Sequence, residues 1–283
     1  MRRKLYDFVF YIATALCIIL TIGILYHIVR FIIASGAPLL YRQITELPQE
    51  AILEPKKLQQ MIISTLMLTV STLLLVLPFA IFSAIYLHEY AKTTLLARLT
   101  RFCVQTLASI PSIVYGLFGM LIFVRLAGFG MSILSGAGTL TAMLLPVIMT
   151  QTENSLSQIP HEYREGSASL GATQFETITS IILPNATPGI LVGVLLAVGR
   201  IISESAALLF TVGTFVRMPV NRETGMLSVL EAGTTLTIRA LIEFKEHGNL
   251  EAAAAIGVIT IGVLVGLNLI SKLLSWMFLK KNL

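Results

Sequence analysis

The strongest constraint in this chain is the recurrence of uncharged apolar runs long enough to cross a lipid bilayer. A helix rises about 1.5 Å per residue, so about 20 apolar residues span roughly 30 Å of hydrocarbon. Phe8–Val29 supplies 22 residues between Asp7 and Arg30, and Phe102–Val124 supplies 23 between Arg101 and Arg125. The Met61–Leu87 run, inside Leu58–His88, is a third. Leu126–Thr152 is also uncharged, but Gly128, Gly130, Gly136 and Gly138 crowd its first half. That pattern predicts an outer loop to about Gly138 and then a short fourth helix containing Pro146. A fifth span is expected from near Ala186, past Arg200 and Glu204, to about Val216. The sixth is expected from Ala252 to about Phe278, interrupted only by Lys272. The predicted fold class is an all-α membrane protein with six transmembrane helices.

Charge content supports this and excludes other classes. Only 12% of the 283 residues are charged and 55% are hydrophobic, against about 25% charged in an average soluble domain. An ordinary globular enzyme is excluded. The net charge of +5 belongs at membrane edges, where Lys and Arg flank spans, and points to the lipid bilayer and not to nucleic acid. The first apolar run exceeds the roughly 7–15 residues of a signal peptide, so an uncleaved first helix is expected. Arg2, Arg3 and Lys4 at one end and Lys280 and Lys281 at the other put both termini in the cytoplasm, which requires an even number of spans. Totals discriminate less. The inner segments also hold Lys92, Arg98, Arg101 and Arg164, while the outer ones hold Arg42, Lys56, Lys57, Arg125, Arg217, Arg222, Arg239 and Lys245. The expected organisation is a first helix over 1–34, an outer loop over 35–60 and a helical core over 61–279. In the loop, Arg42, Lys56 and Lys57 balance Glu46, Glu50 and Glu54 as a solvated face.

Between the fourth and fifth spans, residues 160–184 spell a helix, a turn and a second helix. Pro160 suits a first helical position, Gly171 a left-handed helix end, and Thr173 with Glu176 a capping box; Pro184 is expected to end the second helix. The spacing of Glu165, Gly171, Ile181, Leu183 and Pro184 resembles the loop E-A-A-x3-G-x9-I-x-L-P of permease subunits of bacterial ABC importers. Gly166 and Ser167 stand where that motif has two alanines. The resemblance implies a type I importer permease fold in which this elbow docks in a cleft of an ATPase subunit. Glu165, Gly166, Ser167, Ala168 and Gly171 are then the coupling contact.

The fifth span carries the charges a bilayer tolerates least. Arg200 and Glu204 lie four positions apart, which on a continuous helix is one face, and each costs about 2.5–3.5 kcal/mol at mid-membrane on insertion scales. They are either an ion pair that offsets its own burial or part of a polar ring lining a substrate path. Arginine offers a permanently charged fork of donors matched to oxyanions, and Ser203, Ser205 and Thr211 add hydroxyls, so an anionic substrate fits better than a sugar or cation. The run Arg200-x3-Glu204-Ser205-Ala206-x-Leu208-Leu209-Phe210-Thr211, with Ile110-Pro111-Ser112-Ile113-Val114-Tyr115-Gly116-Leu117-Phe118-Gly119, is similar to the PstA-type permeases of phosphate importers. Ser203 replaces a usual glycine. Ser112 is a further path candidate, although Ser112, Gly116 and Gly119 suit close helix packing better.

That resemblance implies import of inorganic phosphate across a bacterial cell membrane. The implied partners are a PstC-like sister permease, a PstB-like ATPase dimer and a PstS-like extracytoplasmic phosphate-binding protein. ATP and Mg would sit on the ATPase: no Gly-Lys pair exists in this chain, so GxxxxGK[ST] is absent and no cofactor is expected on it. His27, His88, His161 and His247 are scattered and form no metal-ligand spacing; Cys17 and Cys103 lie in apolar runs and form no disulfide framework. Leu236–Phe244 reads as an amphipathic helix, at the membrane surface or as a docking face for the binding protein. Two other readings fit parts of the pattern: a permease for sulfate, molybdate or the sister phosphate subunit, and an ion-coupled secondary transporter using Arg200 and Glu204.

Overall fold

The computed structural model describes residues 2–46, 54–91, 94–221 and 224–281. Glu50, Lys92 and Arg222 lie outside the described residues. Among the described residues ten α-helices follow in order: α1 (Arg2–Glu46), α2 (Pro55–Ile85), α3 (Leu95–Ala108), α4 (Ser112–Gly119), α5 (Ile133–Ser157), α6 (Glu162–Ser169), α7 (Gln174–Thr177), α8 (Leu183–Ser203), α9 (Leu236–Lys245) and α10 (Leu250–Lys281). Wider π-helical turns occupy Tyr86–Tyr90, Met120–Leu126 and Ile178–Ile182. Among the described residues, five helices are long and apolar enough to span a membrane, and six if the bent pair α3 and α4 counts as one.

The centre is α5 packed against α2 and α8. On α2 the buried positions Met61, Thr65, Leu68, Thr72, Val76, Ala80 and Ala84 recur every three or four residues, forming one stripe along the helix. Lipid is as apolar as this stripe, so close packing, and not the hydrophobic effect, holds such helices together. The threonines fit because each hydroxyl is satisfied within its own helix: Thr65, Thr69 and Thr72 donate to the carbonyls four residues back at 2.7–2.8 Å.

Several sequence expectations change here. α1 continues to Glu46 and α2 begins at Pro55, so most of the expected 35–60 loop is helical; Pro38 sits inside α1, and α2 begins at the proline-compatible first position. The third span is not one straight helix. Pro111 cannot donate a backbone hydrogen bond and disfavours helical geometry at Ile110, and the chain turns through 101° between α3 and the α4 segment. Carbonyls freed at the bend are met locally: the Tyr115 hydroxyl donates to Leu107 O at 2.9 Å and Ser109 Oγ to Thr106 O at 2.7 Å. α5 starts at Ile133, earlier than expected, because Ser132 caps it by accepting from Ser135 N at 3.2 Å and its glycines serve packing; a Cβ on Gly136 would strike Val212.

The fifth span ends at Ser203, short of Val216: Glu204 is extended, at φ −75° and ψ 129°. Pro160 precedes the helix start, with His161 at the cap. Pro184 opens α8 instead of ending a helix, since the π turn 178–182 carries the chain straight from α7 into it. The Leu236–Phe244 stretch forms α9 as a helix, and Phe244 is exposed on it. Leu236, Ile238 and Ile242 are buried against the core and α10.

Candidate translocation path and coupling elbow

Arg200 lies in the last turn of α8, where its charge complements the negative end of the helix dipole. Its helix neighbours Ala197 and Ile201 point into the core, while Arg200 itself is exposed. Among the described residues it makes no ion pair or hydrogen bond through its guanidinium. Because the helix has already ended, the expected one-face pairing with Glu204 does not form. Glu204 turns back instead, and its Oε1 accepts from Ala206 N at 3.0 Å and Ala207 N at 3.2 Å. The carboxylate thereby caps the turn at Ala206 and Ala207 that leads into the short 3₁₀ segment Leu208–Phe210. Its backbone carbonyl accepts from Thr237 Oγ1 at 3.0 Å, which ties this turn to the start of α9.

The hydroxyls divide. Ser203 is exposed, with its Oγ donating to Gly199 O at 2.7 Å. Ser112 and Ser205 are half-buried. Thr211 is fully buried, and its hydroxyl donates to Ala207 O at 3.2 Å, so it belongs to the subunit interior and not to an exposed path. Gly116 brings α4 against the same turn, since a Cβ there would stand 2.8 Å from Ala207 Cα. Arg200, Glu204, Ser205 and α4 thus share one corner, with Glu204 shaping the turn and Arg200 alone presenting charge.

The elbow is the second site. Gly171 takes φ +85°, the left-handed geometry that glycine adopts without steric cost. Thr173 and Glu176 form the reciprocal capping box. Glu165, Gly166, Ala168 and Gly171 are exposed, whereas Ser167 is buried and its Oγ lies 2.8 Å from Thr177 Oγ1, pinning α6 to α7. Sequence reasoning overlooked the apolar knobs: Leu170 at the tip is 90% exposed, flanked by exposed Tyr163 and Phe175. It also overlooked Glu89, which receives Arg164 from the elbow at 2.6 Å. A charge closing a long apolar run was the available signal.

On the opposite side of the fold, a cavity of about 500 Å³ is lined by Lys57, Phe215, Arg239, Glu243, His247 and Asn249. Arg239 pairs there with the fully buried Glu243. No group of three or more potential metal ligands occurs among the described residues.

Residues 76–275 match the family of binding-protein-dependent transport system inner membrane components, and the chain belongs to it. It is a membrane permease subunit. The "Probable ABC transporter permease protein YqgI" of Bacillus subtilis (strain 168) is 32% identical over 292 residues, covering 99% of each chain. The "Probable phosphate transport system permease protein PstA" of Methanocaldococcus jannaschii is 32% identical over 217 residues, covering 75% of this chain and 74% of its own. Among solved structures, a bacterial alginate ABC transporter in complex with an alginate-bound periplasmic protein contains a chain that superposes with TM-score 0.67 at 16% identity, covering 94% of this chain and 93% of that one. At that identity the likeness concerns the fold, which is that of the type I ABC importer permeases.

Proposed function

We infer that this chain is a permease subunit of an ATP-driven importer of inorganic phosphate, with Arg200 on the translocation path. One observation carries the choice of an anion: a permanently charged guanidinium stands exposed near the end of a membrane helix without a carboxylate partner among the described residues. Ionisable groups at membrane depth face water-filled cavities or partners, and a free guanidinium fork matches phosphate oxygens. The phosphate-permease relative supports phosphate over other oxyanions.

In this reading a PstC-like sister permease completes the path, a PstB-like ATPase dimer binds and hydrolyses ATP with Mg, and a PstS-like binding protein delivers phosphate from outside. Both termini lie in the cytoplasm. The elbow seats in the ATPase through Leu170, with Glu165, Gly166, Ala168 and Gly171 around it, and Ser167 holds its shape. ATP-driven closure then moves the elbow as a rigid body and exposes the path to alternate sides, because packed elements shift as units. The test is uptake of radiolabelled phosphate by the four-component complex in proteoliposomes. Uptake that needs ATP, survives collapse of the proton gradient and resists excess sulfate or molybdate is the expected result. Gradient-driven uptake without the ATPase would overturn the reading.

A further inference from the structure

The elbow is fastened to the helical bundle at one polar point. Arg164, on α6, sends Nη2 to Glu89 Oε1 at 2.6 Å and Nε to Glu89 Oε2 at 3.2 Å. Both side chains are withdrawn from solvent, 14% and 5% exposed. Gln174, on α7, donates to the backbone carbonyl of the same Glu89 at 2.9 Å. His88 Nδ1 lies 2.9 Å from Glu89 Oε1. The two short helices of the elbow therefore converge on one residue, which sits in the π turn closing α2.

The same turn is held from its other side. Arg101 of α3 donates to Leu87 O at 3.1 Å and to Glu153 of α5 at 3.2 Å. Arg164 also reaches Leu156 O in the last turn of α5 at 3.4 Å and Ile159 O just beyond that helix at 3.1 Å. Apolar contacts surround this joint: Ile81 and Ile85 of α2 pack against the cluster of Leu156, Ile159 and Ile182. Such contacts are non-directional and allow sliding, whereas a two-pronged guanidinium–carboxylate pair fixes orientation as well as distance. π turns inside helices are recurrent at functional positions, and this one joins three bundle helices to the elbow.

We propose that the Glu89–Arg164 pair is the pin that makes α2 and α3 follow the elbow, converting movement of the docked ATPase into movement of the helices beside the path. The two residues are positioning residues that touch neither ATP nor substrate. The proposal rests on the ABC-permease reading and assigns its transmission step to a specific contact. A pin whose loss merely unfolds the elbow would cost ATPase association; a transmitting pin costs transport per ATP.

The experiment uses the complete reconstituted complex and measures three quantities for wild type, Glu89→Ala, Arg164→Ala and the double variant: ATPase co-purification, ATP hydrolysis, and phosphate imported per ATP hydrolysed. In the single variants the ATPase is expected to remain bound and active while phosphate imported per ATP falls about tenfold, and the double variant should be no worse than either single one, as for two halves of one contact. Glu89→Asp should recover part of the ratio. An unchanged ratio in Glu89→Ala, losses that multiply in the double variant, or loss of the ATPase from both single variants would overturn the proposal. Wild-type complex that fails to bind the ATPase, or imports without ATP, would instead overturn the proposed function.

Discussion

Gly116 and Ala207 meet so closely that a Cβ on Gly116 would stand 2.8 Å from Ala207 Cα and 2.9 Å from Ala207 O. This contact seats α4 on the turn that Glu204 caps, and so fixes the corner from which Arg200 projects.

Replacing Gly116 by Val forces backbone apart from backbone, which no flexible side chain can relieve. Overpacking of this kind costs about 1–3 kcal/mol. Gly116→Val is expected to lower the Tm of the purified complex in detergent and to reduce uptake. Gly199→Ala, whose Cβ meets nothing within 4 Å, is the matched control and should behave as wild type.

Arg200→Gln keeps much of the side chain's length and removes its charge. Loss of a hydrogen bond to a charged partner is worth about 1.5–3 kcal/mol, which corresponds to uptake reduced by about 10- to 150-fold, with assembly intact on size-exclusion chromatography. Wild-type uptake in this variant would remove Arg200 from the path. Glu204→Gln should behave differently: its carbonyl oxygen can still accept from Ala206 N and Ala207 N, so a smaller loss of uptake is expected in the same assay.

The elbow separates two glycines that look alike in sequence. Gly171→Val places a β-branched residue at φ +85°, a position at odds with its sterics, and should cost co-purification of the ATPase. Gly166→Ala restores the motif's usual residue at a helical position with nothing within 4 Å of the new Cβ, and association should be retained. Leu170→Asp, at the exposed tip, should weaken association without altering the fold, as read by circular dichroism.

The first helix is held by close backbone approach. A Cβ on Gly36 would stand 2.6 Å from the Ala254 backbone of α10. Gly36→Leu is expected to loosen α1 from α10 and raise protease sensitivity of the N-terminal helix, while Gly23→Leu, with open space around it, should leave the cleavage pattern unchanged.

Legibility of this fold in its sequence followed the range of the forces involved. The apolar runs, the Gly171 turn and the Thr173–Glu176 box were readable because each depends on residues within a turn or a membrane thickness of one another. The 101° bend was not, since a proline between two apolar stretches is also compatible with a kinked helix. Nor was the fate of Glu204, where capping the following turn competed with pairing one helical turn back, and prevailed because the helix stops at Ser203. Arg164 reads from the sequence as no more than a topological charge because its partner Glu89 is 75 positions away, and no local pattern announces a contact at that separation.

The grip on α1 is uneven along its length. Leu39 and Leu40 tuck into the cluster of Met61, Leu236, Ala255 and Ile256, and Gly36 abuts Ala254, but Tyr11 through Tyr26 present largely exposed side chains. A helix anchored near one end is a lever. From Gly36 to Tyr11 the arm is about 38 Å at 1.5 Å per residue, so a change of about 10° in the α1–α10 crossing angle sweeps the free end through about 7 Å. Small adjustments where Gly36, Leu39 and Leu40 meet the bundle, on one side of the membrane, would thus be magnified into displacements of most of a helix diameter on the other.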